Sequence, residues 1–206
     1  MRCLIRTGLC AIVIAAVLAV RPAAQPGPAK PADPSLWTID GQHSAASFAV
    51  RHMMVSTVRG SLGPIQGSVW YDGKDVSSIR ADATIDVTHL ASGDAARDTD
   101  LRGADFFAAD QFPTVTFKSK RIVAGTGGQF KMIGDLTIRG TTKEVTLDVD
   151  NPAPILKTTR EERTAAMATT TVNRFDYGLK WNRLIETGGA IVGPDVKITI
   201  DLEIKR

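Results

Sequence analysis

Val196-Lys-Ile-Thr-Ile-Asp-Leu-Glu-Ile204 alternates without a break, with apolar residues at 196, 198, 200, 202 and 204 and polar ones between them. A period of two puts the first set on one face of a strand and the second on the other. The stretch therefore reads as a half-buried antiparallel strand with a wet outer face. The same scheme runs through Ala81–Val87 and Val145–Val149. Thr114–Lys118 and Phe130–Ile138 follow it with one slip, at Ile133. Ser47–Arg51 and Ser68–Tyr71 are shorter versions, and Thr164–Val172 is a Thr/Ala-rich one. Turn residues separate the runs at Tyr71-Asp-Gly-Lys74, Gly125-Thr-Gly-Gly128, Arg139-Gly-Thr141 and Asn151-Pro-Ala-Pro154. About eight strands at such spacing predict an all-β antiparallel barrel or sandwich. One helical interruption is expected between Ser92 and Ala108, where Asp94, Asp98 and Asp105 suit helix starts.

Interior quality bears on which of the two forms. Aromatic residues make up only 6% of the 206, and the inward set is dominated by Ala, Val, Ile and Gly, so little bulk is available to fill an interior. An eight-stranded barrel is just wide enough to be packed or to hold one small ligand. Small lining residues favour a cavity, with Gly60, Gly63 and Gly67 placed to bend a long strand. A sandwich would show the same alternation.

The first residues have a different character. Arg2 and Arg6 precede an apolar run from Leu9 to Val20, the length of a signal-peptide core and short of the about twenty residues that span a bilayer. Val17-Leu-Ala19 offers small residues for cleavage, so residues 1–19 are expected to be a removable leader and the protein to be periplasmic. Cleavage there would leave 23 basic against 22 acidic residues, too balanced to attract nucleic acid. Both cysteines, Cys3 and Cys10, would leave with the leader, and with them disulfide or thiolate chemistry. Residues 20–35 include five prolines and predict a disordered linker. Residues 36–206 are expected to form one domain. A membrane-spanning barrel is excluded: the partners of the apolar residues are Lys, Asp, Glu and Thr, and aromatic residues are too few for girdles.

Catalytic and metal patterns are weak. Asp40, His43 and Ser44 form D-x-x-H-S, but neighbouring strand residues point to opposite faces, so His43 and Ser44 are poorly placed as base and nucleophile. His43, His52 and His89 match no zinc spacing and have no cysteine companions, so no metal is expected. His52 continues the Phe48–Val50 face, either as a strand-end histidine or as a polar group inside an apolar pocket. Met53-Met54 suit a pliable apolar contact or core filling.

Longer motifs carry a family resemblance. W-T-I-D-x-x-H-S-x-x-x-F-x-V-R-H (Trp37 to His52), R-D-T-D-L (Arg97 to Leu101), D-F-F (Asp105 to Phe107) and F-P-T-V-T-F-K-S (Phe112 to Ser119) occur in order. So do G-D-L-T-I-R-G-T-T-K-E-V (Gly134 to Val145), N-R-F-D-Y-G-L (Asn173 to Leu179) and E-T-G-G-A-I-V-G-P-D-V-K-I (Glu186 to Ile198). Across residues 36–206 the chain resembles the YceI-like lipid/polyisoprenoid-binding family. The resemblance implies an eight-stranded, lipocalin-like antiparallel barrel with a short helical insertion. It further implies a periplasmic carrier that encloses a polyisoprenoid or isoprenoid quinone as ligand, with no other cofactor, often as a homodimer. One departure is Asp100, where members usually carry His. Inward alternation nominates Phe48, Val50, His52, Ile85, Val87, Val115, Phe117, Met132, Leu136, Ile198 and Ile200 as lining, with Phe106, Phe107 and Trp181 at the mouth. The alternative is a secreted enzyme acting on a lipid-like substrate through Asp40, His43 and His52.

Overall fold

Strands form wherever the sequence alternates, and they close on themselves. The computed structural model describes residues 33–183 and 190–206, so the expected leader and nearly all of the expected linker lie outside the described residues. Its elements are β1 (Leu36–Ile39), β2 (Ala45–His52), β3 (Ser56–Gly63), β4 (Ile65–Trp70), β5 (Arg80–Asp86), α1 (Ala95–Arg102), β6 (Thr114–Ala124) and β7 (Phe130–Ile138). They continue with β8 (Thr141–Val149), β9 (Leu156–Lys157), β10 (Glu162–Asn173) and β11 (Val192–Lys205). All pairings are antiparallel, in the order β3-β2-β11-β1-β4-β5-β6-β7-β8-β10-β9, and β11 also pairs with β10. That second pairing closes the sheet. β1 and β2 are halves of one bent strand lying along β11, β3 and β4 are halves of another, and β9 is a two-residue extension beside β10. The wall is thus an eight-stranded antiparallel barrel, the predicted fold.

Glycine makes the bends possible. Gly63 has φ +123° and Gly67 φ +147°, and a Cβ on either would sit 2.0 or 2.1 Å from the carbonyl oxygen of Asp86 or Asp82. Backbone approaches that close leave no room for any side chain. In the β7–β8 hairpin both connecting residues have positive φ, Arg139 (+49°) and Gly140 (+72°), as a tight two-residue turn requires. The Arg139 guanidinium offsets its backbone strain by donating to the carbonyls of Ala104 (2.8 Å), Phe106 (3.1 Å) and Gly178 (2.9 Å).

Two expectations are corrected. Strand β5 stops at Asp86, whose carboxylate accepts the Thr88 N–H (3.0 Å) and winds Val87–His89 into a single turn of 3-10 helix. The helix is also shorter than Ser92–Ala108. Asp94 caps it by accepting from the Arg97 N–H (3.0 Å), and it ends at Gly103, after which the chain passes through a series of tight turns. Among the described residues no helix is long and apolar enough to cross a membrane.

Candidate functional site

The inward faces of the strands enclose three cavities in a row, and β11 runs past all of them. The mouth cavity, about 640 Å³, is lined by Val192 and Ile191 from this strand and its approach, by Phe48, Val50 and His52 from β2, and by the α1 segment from Arg97 to Phe106. A central cavity of about 70 Å³ shares Phe48, Val50, Phe106 and Val192 with the mouth. An inner cavity of about 120 Å³ shares Leu62, Val115 and Ile198 with the central one and ends at Leu202 and Ile204. From Val192 to Ile204 the strand rises about 40 Å at roughly 3.3 Å per residue. With the usual barrel tilt of about 40°, the row is about 30 Å long.

Chemistry changes along this axis. The inner cavity is walled by Ile85, Phe117, Met132, Leu136, Ile200 and small residues such as Ala166 and Ala168; among the described residues Tyr71 and Thr170 are its only polar side chains. Burial pushes the Tyr71 phenol up, with Asp72 and Asp75 adding to the effect. The central cavity touches Arg174 and Tyr177, both buried. Arg174 donates to the carbonyls of Gly193 (2.9 Å), Leu179 (2.5 Å), Trp181 (2.8 Å) and Val192 (3.0 Å), and its guanidinium lies over the Phe175 ring, 4.3 Å from the centroid. Burial lowers its pKa and pushes the Tyr177 phenol up to about 12. The mouth is amphipathic. Phe106 and Trp181 pack with ring centroids 5.3 Å apart, while His52, Arg97, Asp100 and Asp105 bring polar groups to the same cavity.

A family model for the YceI-like domain matches residues 37–204. The chain belongs to this family. A UPF0312 protein of Staphylococcus aureus is 38% identical over 168 residues, covering 81% of this chain and 95% of that one. Among solved structures, Burkholderia cenocepacia BcnA superposes with a TM-score of 0.67 at 24% identity, covering 80% of this chain and 98% of that one. A polyisoprenoid binding domain from Saccharophagus degradans gives 0.60 at 13% identity, covering 82% and 97%. These solved structures share the YceI-like barrel.

In this YceI-like domain the nominated residues separate by depth. Ile85, Val115, Phe117, Met132, Leu136, Ile198 and Ile200 border the inner cavity, Phe48, Val50 and Phe107 the central one, and His52, Phe106 and Trp181 the mouth. Val87 borders none: it lies past the end of β5, fully buried against the core. Sequence reading missed Phe130, Leu147, Val149 and Ala168, which the same alternation, carried further along each strand, would have found. It also missed Arg174, whose signal is a lone cation directly after an apolar strand.

Asp40, His43 and His52 do not come together. Asp40 and His43 lie at the end of the barrel where β11 reaches Glu203 and Lys205, whereas His52 pairs with Val192 at the other end of that strand. The Asp40 carboxylate receives Arg163 (2.8 Å), Lys205 (3.0 Å) and His43 (3.1 Å), and Arg163 also bonds Glu203 and Glu161. Lys205, with His43 and Arg163, holds the Asp40 carboxyl well below the usual carboxylate range. Asp40, His43 and Glu203 are close enough to share a cation, yet Arg163 and Lys205 already supply the positive charge there. Ser44 is engaged with the Glu203 backbone, accepting its N–H at 2.9 Å. The cluster ties β1, β10 and β11 together at the inner end of the barrel.

Proposed function

We propose that this YceI-like protein is an exported carrier. It takes up a long single-chain amphiphile, a polyisoprenoid or isoprenoid quinone, tail first. The observation that carries this reading is the row of cavities, about 30 Å long, whose inner reach has no charged side chain among the described residues and whose mouth is amphipathic. A length near the whole hydrocarbon thickness of a bilayer, about 30 Å, suits a chain longer than the acyl tails of one leaflet. Apolar burial at roughly 25 cal/mol per Å² supplies the affinity, and the mouth polar groups orient the head. The name of the Saccharophagus degradans domain supports the same ligand class.

Binding rather than turnover fits the separation of Asp40 and His43 from His52, at opposite ends of the barrel. The leader expected over residues 1–19 and the cysteine-free remainder support a periplasmic location. The test is mass spectrometry of protein purified from its native envelope, comparing native with denatured mass and identifying the compounds that solvent extracts. A stoichiometric polyprenol or quinone is the expected result, and the native mass also reports whether two chains associate. Protein that is always empty and takes up no added isoprenoid would refute the carrier reading.

A further inference from the structure

The hairpin joining β2 and β3 leaves an apolar tip in the open beside the mouth. Met53, Met54 and Val55 are 42, 57 and 82% exposed. Both methionines have positive φ, +50° and +60°, a region where side chains other than Gly, Asn or Asp are strained. Turns of this kind ordinarily carry Gly or Asn, which would remove the strain and suit water better. The strained turn is nevertheless held firmly. Val55 N–H donates to the His52 carbonyl (3.0 Å) and Met53 N–H to that of Ile191 (2.8 Å). Arg51 donates to the carbonyls of Met54 (2.7 Å) and Val55 (3.1 Å) and to Thr57 Oγ1 (3.2 Å). Three consecutive apolar residues are thus fixed in an outward position, where single exposed ones would call for no explanation.

Cations outnumber acids on the outer face of the strands leading to the tip, among the described residues. Arg59, Ala49 and Lys197 are cross-strand partners in a row on the outer face, and Arg51 lies two residues nearer the tip on the same face. From Gly41 to Tyr71 the chain has no Asp or Glu. Among the described residues the acidic groups of this end are Asp100 and Asp105 in the mouth wall and Asp195, which shares the outer face of β11 with Lys197 and offsets one of the three cations. An apolar tip flanked by cations complements an anionic lipid surface, where the side chains enter the acyl boundary and the basic groups meet phosphates.

We propose that the β2–β3 hairpin docks the barrel on an anionic bilayer, seating the mouth against the membrane so that cargo moves between bilayer and cavity without crossing water. This rests on the carrier reading, and the experiment separates the two. The full mature protein is floated with vesicles of phosphatidylcholine containing phosphatidylglycerol, and with phosphatidylcholine alone. Uptake of farnesol dispersed in detergent is measured in parallel. The unaltered protein is expected to float with the anionic vesicles, less so at high salt. Met54→Asp with Val55→Asp should lower that partition roughly tenfold or more, since both side chains lose their apolar anchorage. Arg59→Glu with Lys197→Glu should lower it to a similar degree for anionic vesicles only. All of these residues lie outside the cavity walls, so detergent-delivered farnesol should enter each variant normally, which also reports that each is folded. Failure of the unaltered protein to float, or equal flotation of the tip variant, overturns the docking proposal. Failure of every form to take up farnesol overturns the carrier reading instead, and flotation then still decides docking.

Discussion

Filling the inner cavity should raise stability and weaken the binding of long tails at the same time. Ala168 lies on β10 opposite Ile200 and Val149 and borders the 120 Å³ cavity. Ala168→Leu adds three carbons, at most about 2.4 kcal/mol of burial at roughly 0.8 kcal/mol per CH₂. An empty volume of that size is itself worth about 3 kcal/mol at roughly 24 cal/mol per Å³. Ordering the leucine side chain subtracts about 0.5–1 kcal/mol, leaving a gain of about 1–2 kcal/mol. For a domain of this size the melting temperature should rise by roughly 3–6 °C. The ligand sees the opposite sign. Excluding one five-carbon isoprene unit forfeits about 4 kcal/mol of burial, up to roughly a thousandfold in affinity. Short prenols, which end before Ile198, should bind as before. The assay is ligand-free thermal denaturation together with competition titrations using a short and a long prenol; Ala166→Leu provides a second site on the same wall. A variant that loses stability would mean that the cavity is not available space. Unchanged affinity for the long prenol would mean that the tail never reaches it.

Gly63→Ala forces a side chain into a position with φ +123° and a Cβ 2.0 Å from the Asp86 oxygen, so urea unfolding should show a loss of about 2–3 kcal/mol or more; a wild-type midpoint would refute the tight bend at this residue. Arg174→Leu takes the donor from the carbonyls of Gly193, Leu179 and Trp181, while that of Val192 keeps Asn182 Nδ2 (3.1 Å), and should cost roughly 3 kcal/mol or more in the same assay, whereas a merely solvated arginine would cost almost nothing. The Asp40 carboxyl titrates lower in the folded than in the unfolded chain. It therefore contributes stability above about pH 4, and that contribution is lost as pH falls further. Asp40→Asn should be less stable at neutral pH and flatter below about pH 4 in thermal melts, and parallel acid limbs would contradict this. Trp181 borders the mouth, so cargo uptake should change fluorescence that Trp181→Phe abolishes.

Strand alternation gave away the wall, because a period of two is local and survives any packing arrangement. Phe48, Phe117, Leu136 and Ile198 could be assigned an inward face for that reason, and depth along the barrel then followed from position in the strand. Val87 shows where alternation stops being informative. Its parity continued that of Ile85, but a side-chain cap at Asp86 ended the strand one residue earlier. Closure was less legible. The pairing of β11 with β10 joins consecutive strands, but its pairing with β2 and β1 on the other side depends on contacts between residues far apart in sequence. The alternation would have been the same in a sandwich. Likewise Asp40 and His52 look neighbourly in the chain, and only the continuous run of β2 sends them to opposite ends. Arg174 escaped notice because its partners are carbonyls, which no residue type announces.

The role of β11 has a consequence for the order of folding. This strand is the seam of the barrel, and its partners in β1 and β2 lie well over a hundred residues earlier. Until it docks, β2 and β10 each present an unpaired edge and an apolar face, the combination that invites aggregation. Joining such distant segments carries a large loop-closure entropy, so the domain should fold late and slowly, as one event. A chain emerging amino-terminus first would remain open until the residues of β11 were free to pair. Its tunnel and its outer wall would then come into being together.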